Sequence, residues 1–135
     1  MNDSLSKLVG TVGFASLTVR AADTAVALGS GDVPVLGTPR VVALAEAACV
    51  AALLDHLGSE QTSVGTRVEL DHLGVSAVGS NVRASAEITS VVGSKLTFEV
   101  EVHAGSRLIA KGVITRAVVD RLQFLAKAAG QSRIE

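Results

Sequence analysis

Aromatic residues are nearly missing from this chain. Trp and Tyr do not occur, and Phe is confined to Phe14, Phe98 and Phe124. Without aromatic side chains to stack on bases, and without a basic stripe, the sequence does not read as a nucleic-acid surface. Charge points the same way: 12 Lys and Arg against 13 Asp and Glu leave −1, no cationic excess to meet phosphates. Cysteine is equally scarce. Cys49 is alone, so no internal disulfide can form, and a reducing compartment is the simpler setting. The longest apolar run, residues 41–54, holds an acid and is too short to cross a bilayer. Residues 1–7 are polar and lack the basic-then-apolar order of a secretory leader. Together these features predict a cytoplasmic protein with no nucleic-acid and no membrane partner.

What is present is aliphatic. Of 135 residues, 48% are hydrophobic, mostly Ala, Val and Leu, enough for one domain over 1–135 with a real core. No internal repeat or low-complexity linker divides it. Residues 8–19 mix β-branched residues with glycine and predict a strand. Residues 21–37 carry a loop at Gly29-Ser30-Gly31-Asp32. Thr38-Pro39 has the form of a helix start, a capping hydroxyl followed by proline at the first helical position. The helix is expected to run to about Leu57 and stop at Gly58. From there alternation with period two takes over. Val64, Val68, Leu70 and His72 are expected on one face of a strand, with Arg67, Glu69 and Asp71 on the other. Val82, Ala84, Ala86 and Ile88 alternate with polar residues, as do Leu96, Phe98, Val100 and Val102. A fourth strand is expected over residues 108–119. Gly93-Ser94 and Ala104-Gly105-Ser106 suit hairpin turns, and Asp120 suits the cap of a short terminal helix reaching about Ala128.

A sheet that is polar on one face needs an apolar cover for the other. The helix is apolar nearly all round and reads as that cover. The class expected is therefore α+β, an antiparallel sheet wrapped around a long central helix. Free sheet edges and the helix surface left over favour a homodimer.

Glu46 is the one acid between Val41 and Leu54. Burying an unpaired carboxylate costs roughly several kcal/mol, so it must be paired, hydrogen-bonded or protonated. Burial raises such a pKa and a nearby cation lowers it. Glu46 can equally reach solvent through a gap or make a structural hydrogen bond. His72 falls on the core side of its strand, where most histidines are structural. A carboxylate on the helix that the sheet covers gives this one a possible acid–base partner. Thr38 is accounted for by a capping role alone. Eight residues of helix rise about 12 Å, so a capping Thr38 cannot touch Glu46 of its own chain: either the helix starts later, or the two meet across a dimer interface, the reading favoured here. Cys49, one turn after Glu46, reads as inert packing, and His56 and His103 as surface residues. The three histidines lack metal-ligand spacing, so no metal is expected. Gly29-Ser30-Gly31 lacks the Lys-Ser/Thr of a phosphate loop.

The stretch Gly37-Thr38-Pro39-Arg40-Val41-Val42-Ala43-Leu44-Ala45-Glu46-Ala47-Ala48-Cys49-Val50, followed by Val64-Gly65-Thr66 and His72, resembles the fluoroacetyl-CoA thioesterase-like branch of the hotdog thioesterases. The resemblance covers roughly residues 8–127. It implies the hotdog fold, an acyl-CoA substrate and no cofactor beyond the coenzyme A of the substrate. By position it implies Thr38, Glu46 and His72 as a catalytic trio, Gly65 as a substrate-contacting backbone site, and Arg116 as a substrate-side arginine. An ordinary strand-end ion pair accounts for Arg116 equally well. One departure stands out. The family's fluoroacetyl-specific member is expected to gate its acyl pocket with Phe side chains before the Thr, and residues 24–37 here contain no aromatic. A different small or medium acyl group is the expectation.

The expected activity is thioester hydrolysis, with Glu46 either as general base to water or as the attacking group of a transient acyl anhydride. Backbone N–H groups at the helix start or at Gly65 would hold the oxyanion. The rival reading, motivated by the missing gate, is a non-catalytic domain that binds acyl-CoA or another small ligand. Hydration or dehydration of an acyl-CoA ranks lower, since the adjacent Asp55-His56 pair at a helix end is not the spacing that chemistry uses.

Overall fold

Period-two alternation settles most of the sheet. In the computed structural model, which describes residues 3–134, the strands are β1 (Val12–Thr18), β2 (Gln61–His72), β3 (Asn81–Val92), β4 (Lys95–Ala104) and β5 (Arg107–Asp120). Met1, Asn2 and Glu135 lie outside the described residues, and with them the start of the segment read above for a leader. Val82, Ala84, Ala86 and Ile88 of β3 are buried, and so are Leu96, Phe98, Val100 and Val102 of β4. Each larger side chain among them contributes roughly 1.5–3 kcal/mol by leaving water. Two-residue turns join β3 to β4 and β4 to β5. Gly93 and Gly105 take φ of 62° and 60° there, a region open to glycine at no steric cost.

The sheet is antiparallel throughout, in the order β1-β3-β4-β5-β2. The α-helices among the described residues are α1 (Asp3–Ser6), α2 (Ala25–Leu28), α3 (Thr38–Leu53) and α4 (Arg121–Ile134). Helix α3 packs mainly on β1 and β3 and touches β2 and β4 less. Val41, Leu44, Ala45, Ala48, Cys49, Ala52 and Leu53 form its buried face, spaced as one side of a 3.6-residue helix. Gly13 lets β1 and α3 meet backbone to backbone: a Cβ there would strike the Ala48 carbonyl and the Ala52 amide.

Several expectations are corrected. The helix is apolar all round but not covered all round. Ala43, Ala47, Val50, Ala51 and Leu54 are exposed, and Glu46, between Ala43 and Val50 on the helix surface, is half-buried. The helix also ends at Leu53, not near Leu57. Past Leu53 the chain leaves the helix: Leu54 is 73% exposed, and the chain turns with the His56 amide on the Leu53 carbonyl. At the other end Gly37, not Thr38, is the N-cap. Gly37 is pressed so close to Ala25 that a Cβ would stand 3.0 Å from the Ala25 Cα. Residues 8–19 are a strand only from Val12, because Gly10 turns the chain at φ 95°. Residues 21–37 hold a 3-10 turn at Ala21–Asp23 and α2, capped by Thr24 and by left-handed Gly29, before the loop. Asp120 Oδ1 accepts the Gln123 amide at 2.9 Å, the expected cap, on a helix longer than expected.

Candidate active site

The expected face of β2 is broken by a bulge. Opposite residues of an antiparallel pair share a face, and the β2–β5 register slips between Gly65 and Arg67, leaving Thr66 as an extra residue. Before the slip, Ser63 and Gly65 oppose Val118 and Arg116; after it, Val68, Leu70 and His72 oppose Ile114, Gly112 and Ala110. Ile114, Arg116 and Val118 are buried beneath the helix side of the sheet. Val64 therefore does not share a face with Val68, Leu70 and His72, and Ser63 and Gly65 do. The Thr66 hydroxyl donates to the Thr115 carbonyl at 3.2 Å and ties the bulge to β5.

Two clusters result. In the first, the Thr38 hydroxyl lies 2.8 Å from His72 Nδ1. Freed from capping by Gly37, that hydroxyl is available to the ring. His72 Nε2 is buried without a hydrogen-bond partner among the described residues, an arrangement that a structural histidine avoids. The helix start is itself held down. Arg40 Nε donates to Asp23 Oδ1 at 3.0 Å, the Arg20 amide donates to Asp23 Oδ2, and the Gly37 amide to the Asp23 carbonyl. Sequence reasoning missed this clamp, since no local pattern links residues 17 positions apart.

The second cluster surrounds Glu46. Arg116 Nη1 donates to Glu46 Oε2 at 2.9 Å, with side-chain exposures of 8% for Arg116 and 33% for Glu46. The other edge of the guanidinium is taken by Ser63: Nε donates to its hydroxyl and Nη2 to its carbonyl, both at 2.9 Å. Gly65 completes the cluster, because any Cβ there would collide with Glu46 Oε2. Sequence reasoning had also passed over Ser63, whose only signal was its place two residues before Gly65. Cys49, packed against this cluster, is fully buried and its thiol is pushed up to about 12, by burial first and by Glu46, with Arg116 opposing. It is packing and not a nucleophile.

Thr38 and Glu46 of one chain are eight helical residues, about 12 Å, apart along α3. The structure thus brings Thr38 to His72, and Glu46 to Arg116 and Gly65, and keeps the two groups separate within the chain. Around Glu46 lies uncovered apolar surface. Val50 and Leu54 line the exposed face of α3, and Val68, on the helix side of the sheet, is 41% exposed, since α3 packs less on β2 than on β1 and β3.

Comparison with known proteins places the chain. Residues 19–122 match the family described as fluoroacetyl-CoA-specific thioesterase. The fluoroacetyl-CoA thioesterase of Streptantibioticus cattleyicolor is 36% identical over 93 residues, 69% of this chain and 67% of that protein. A solved structure of the fluoroacetyl-CoA-specific thioesterase is 30% identical with a TM-score of 0.85, covering 90% of this chain and 95% of that one. A thioesterase superfamily member from Thermus thermophilus superposes with a TM-score of 0.83 over 94% of this chain and 96% of that one. At 21% identity that likeness is one of fold. The architecture is the hotdog arrangement, α+β.

Proposed function

The chain belongs to the fluoroacetyl-CoA-specific thioesterase family, and from that premise we propose that it hydrolyses small acyl-CoA thioesters at a site shared between two copies of itself. The observation that carries the shared site is the separation just described. Thr38 and His72 are bonded to one another, and the only carboxylate of α3 stands two helical turns away on an uncovered apolar face. A homodimer that covers this face and the exposed part of the helix side of β2 around Val68 would bring Glu46 of the partner subunit to Thr38 and His72. Most soluble oligomers are closed symmetric dimers of this kind.

In this reading Glu46 is the reacting carboxylate. Arg116 holds Oε2 and leaves Oε1 free. Oε1 either takes a proton from the attacking water or attacks the thioester carbon itself, giving an acyl anhydride that water then opens. In both routes the C–S bond breaks with its electron pair on sulfur. A thiolate of conjugate-acid pKa about 8.5 leaves with little proton assistance. Thr38 and His72 then serve the carbonyl side and the proton of the water. Gly65, bare of side chain, would let the acyl group approach Glu46 closely, and Arg116 would act on the substrate through that carboxylate. No cofactor is needed beyond the coenzyme A of the substrate.

The segment before Thr38 is aliphatic, with Val26, Leu28 and Val33 exposed. We infer an unfluorinated small or medium acyl group in place of fluoroacetyl. We also place the protein in the cytoplasm, where acyl-CoA is made and a free thiol such as that of Cys49 stays reduced. The test is a panel of acyl-CoAs with thiol release as readout, run on wild type and Glu46→Gln. Wild type is expected to release CoA and Glu46→Gln to lose at least about 100-fold in kcat. Equal rates would overturn the role of Glu46. A rise in melting temperature with acyl-CoA and no thiol release would favour the binding-only reading.

A further inference from the structure

We propose that Ser63 is a positioning residue for the reaction, acting on Glu46 through Arg116. The inference rests on the thioesterase reading and extends it to a residue that does not touch the carboxylate. A guanidinium is planar and rigid, so fixing one edge fixes the direction of the remaining nitrogen. Ser63 grips the Nε–Nη2 edge of Arg116 at two points, its own hydroxyl and its own carbonyl, both at 2.9 Å. That leaves Nη1 aimed at Glu46 Oε2, 2.9 Å away. All three nitrogens of a buried cation are thus engaged inside the protein, and its charge is directed at one oxygen of one carboxylate. Gly65 closes the opposite side, since a Cβ there would meet Glu46 Oε2 and lie 3.4 Å from Arg116 Nη1.

The carbonyl of Ser63 is backbone and survives any substitution, so the hydroxyl is the adjustable half of the grip. Without it, buried Nε has no acceptor. The guanidinium then turns to find one, and Glu46 follows. Displacement of a reacting group by a fraction of an ångström lowers turnover more than it lowers affinity. The bulge at Thr66 lets odd-numbered Ser63 before it and even-numbered His72 after it face the same side. The same irregularity therefore sets Ser63 beside Arg116 and His72 beside Thr38.

The test is steady-state kinetics on Ser63→Ala and Ser63→Thr, alone and in a Glu46→Gln background, with the best acyl-CoA of the panel. Ser63→Ala is expected to lower kcat about 10- to 100-fold with KM within about twofold. Ser63→Thr keeps the hydroxyl and should stay within about threefold of wild type. In the Glu46→Gln background Ser63→Ala should change the residual rate less than about twofold, as expected of a residue acting through the missing group. Wild-type kcat in Ser63→Ala, equal losses in the Ala and Thr variants, or an undiminished effect in the Glu46→Gln background each overturn the proposal. Should Glu46→Gln prove as fast as wild type, the assignment of Glu46 itself fails. An inactive Glu46→Gln beside a fully active Ser63→Ala overturns only the role of Ser63.

Discussion

Gly65 leaves open the space that the Glu46 carboxylate occupies: a Cβ on Gly65 would overlap Glu46 Oε2. Position 65 does not adopt positive φ, so its backbone suits other residues as well. Glycine is needed there for room alone.

Gly65→Ala is therefore expected to spare the fold and impair the site. The colliding atom is the end of a flexible side chain, which can swing away. Alanine also removes unfolded-state entropy, worth about 0.4–1 kcal/mol in favour of folding. The predicted outcome is an unchanged or slightly raised melting temperature with thioesterase activity down at least about tenfold. A drop in stability with full specific activity in the folded fraction would contradict it.

Gly13→Ala should instead lower stability. Its Cβ would meet the backbone of α3 at Ala48 and Ala52, atoms that cannot rotate out of the way. Helix and strand must separate, and overpacking of this kind costs about 1–3 kcal/mol. Urea unfolding should show an earlier midpoint, and because the displaced helix carries Glu46 two residues from Ala48, kcat per folded molecule should fall as well.

A site shared between protomers can be tested by mixing. Glu46→Gln and His72→Ala homodimers should each be inactive. Random exchange places both lesions in one site of each heterodimer and leaves its other site intact, restoring about a quarter of wild-type activity. Absence of recovery, with exchange verified by mass, would mean that each chain carries its own complete site. Val50→Asp, on the exposed face of α3, should give a monomer with little activity.

Cys49 supplies a pH prediction. Its folded pKa is raised from 9.0 to about 12, so the unfolded chain gives up the proton first. Stability from this group is intact below pH 9 and falls as pH climbs toward 12, by up to about 1.4 kcal/mol per unit. Urea unfolding between pH 8 and 10.5 should show that slope, and Cys49→Ala should flatten it. At pH 8 a thiol reagent should label no cysteine in the folded protein and one in urea.

Legibility differed between elements for identifiable reasons. The sheet strands β3 and β4 could be read residue by residue, because each side chain there answers only to which face it is on. Gly93 and Gly105 marked their turns equally plainly. Residues 21–37 could not be resolved beyond a loop. The 3-10 turn and α2 are too short to carry a period, and they persist through the Asp23–Arg40 pair and the Gly37 amide. The β2 face was misassigned at Val64, since a bulge inserts a residue without changing the composition that alternation relies on.

By itself the sequence determined that a lone acid sits in an apolar helix, that His72 lies on the core side of its strand, and that this strand belongs to an antiparallel sheet wrapped on that helix. Those are consequences of period and composition, which are local properties of the chain. Only the tertiary structure decided what the acid meets. Arg116 and Ser63 are 70 and 17 residues from Glu46, and their contact depends on β5 pairing with β2 in one register with one bulge. The same holds for Thr38, whose role changed when Gly37 proved able to approach Ala25 and take the cap. The hydroxyl was thereby released to His72, and no spacing within the helix could reveal it, because the deciding contacts come from other elements.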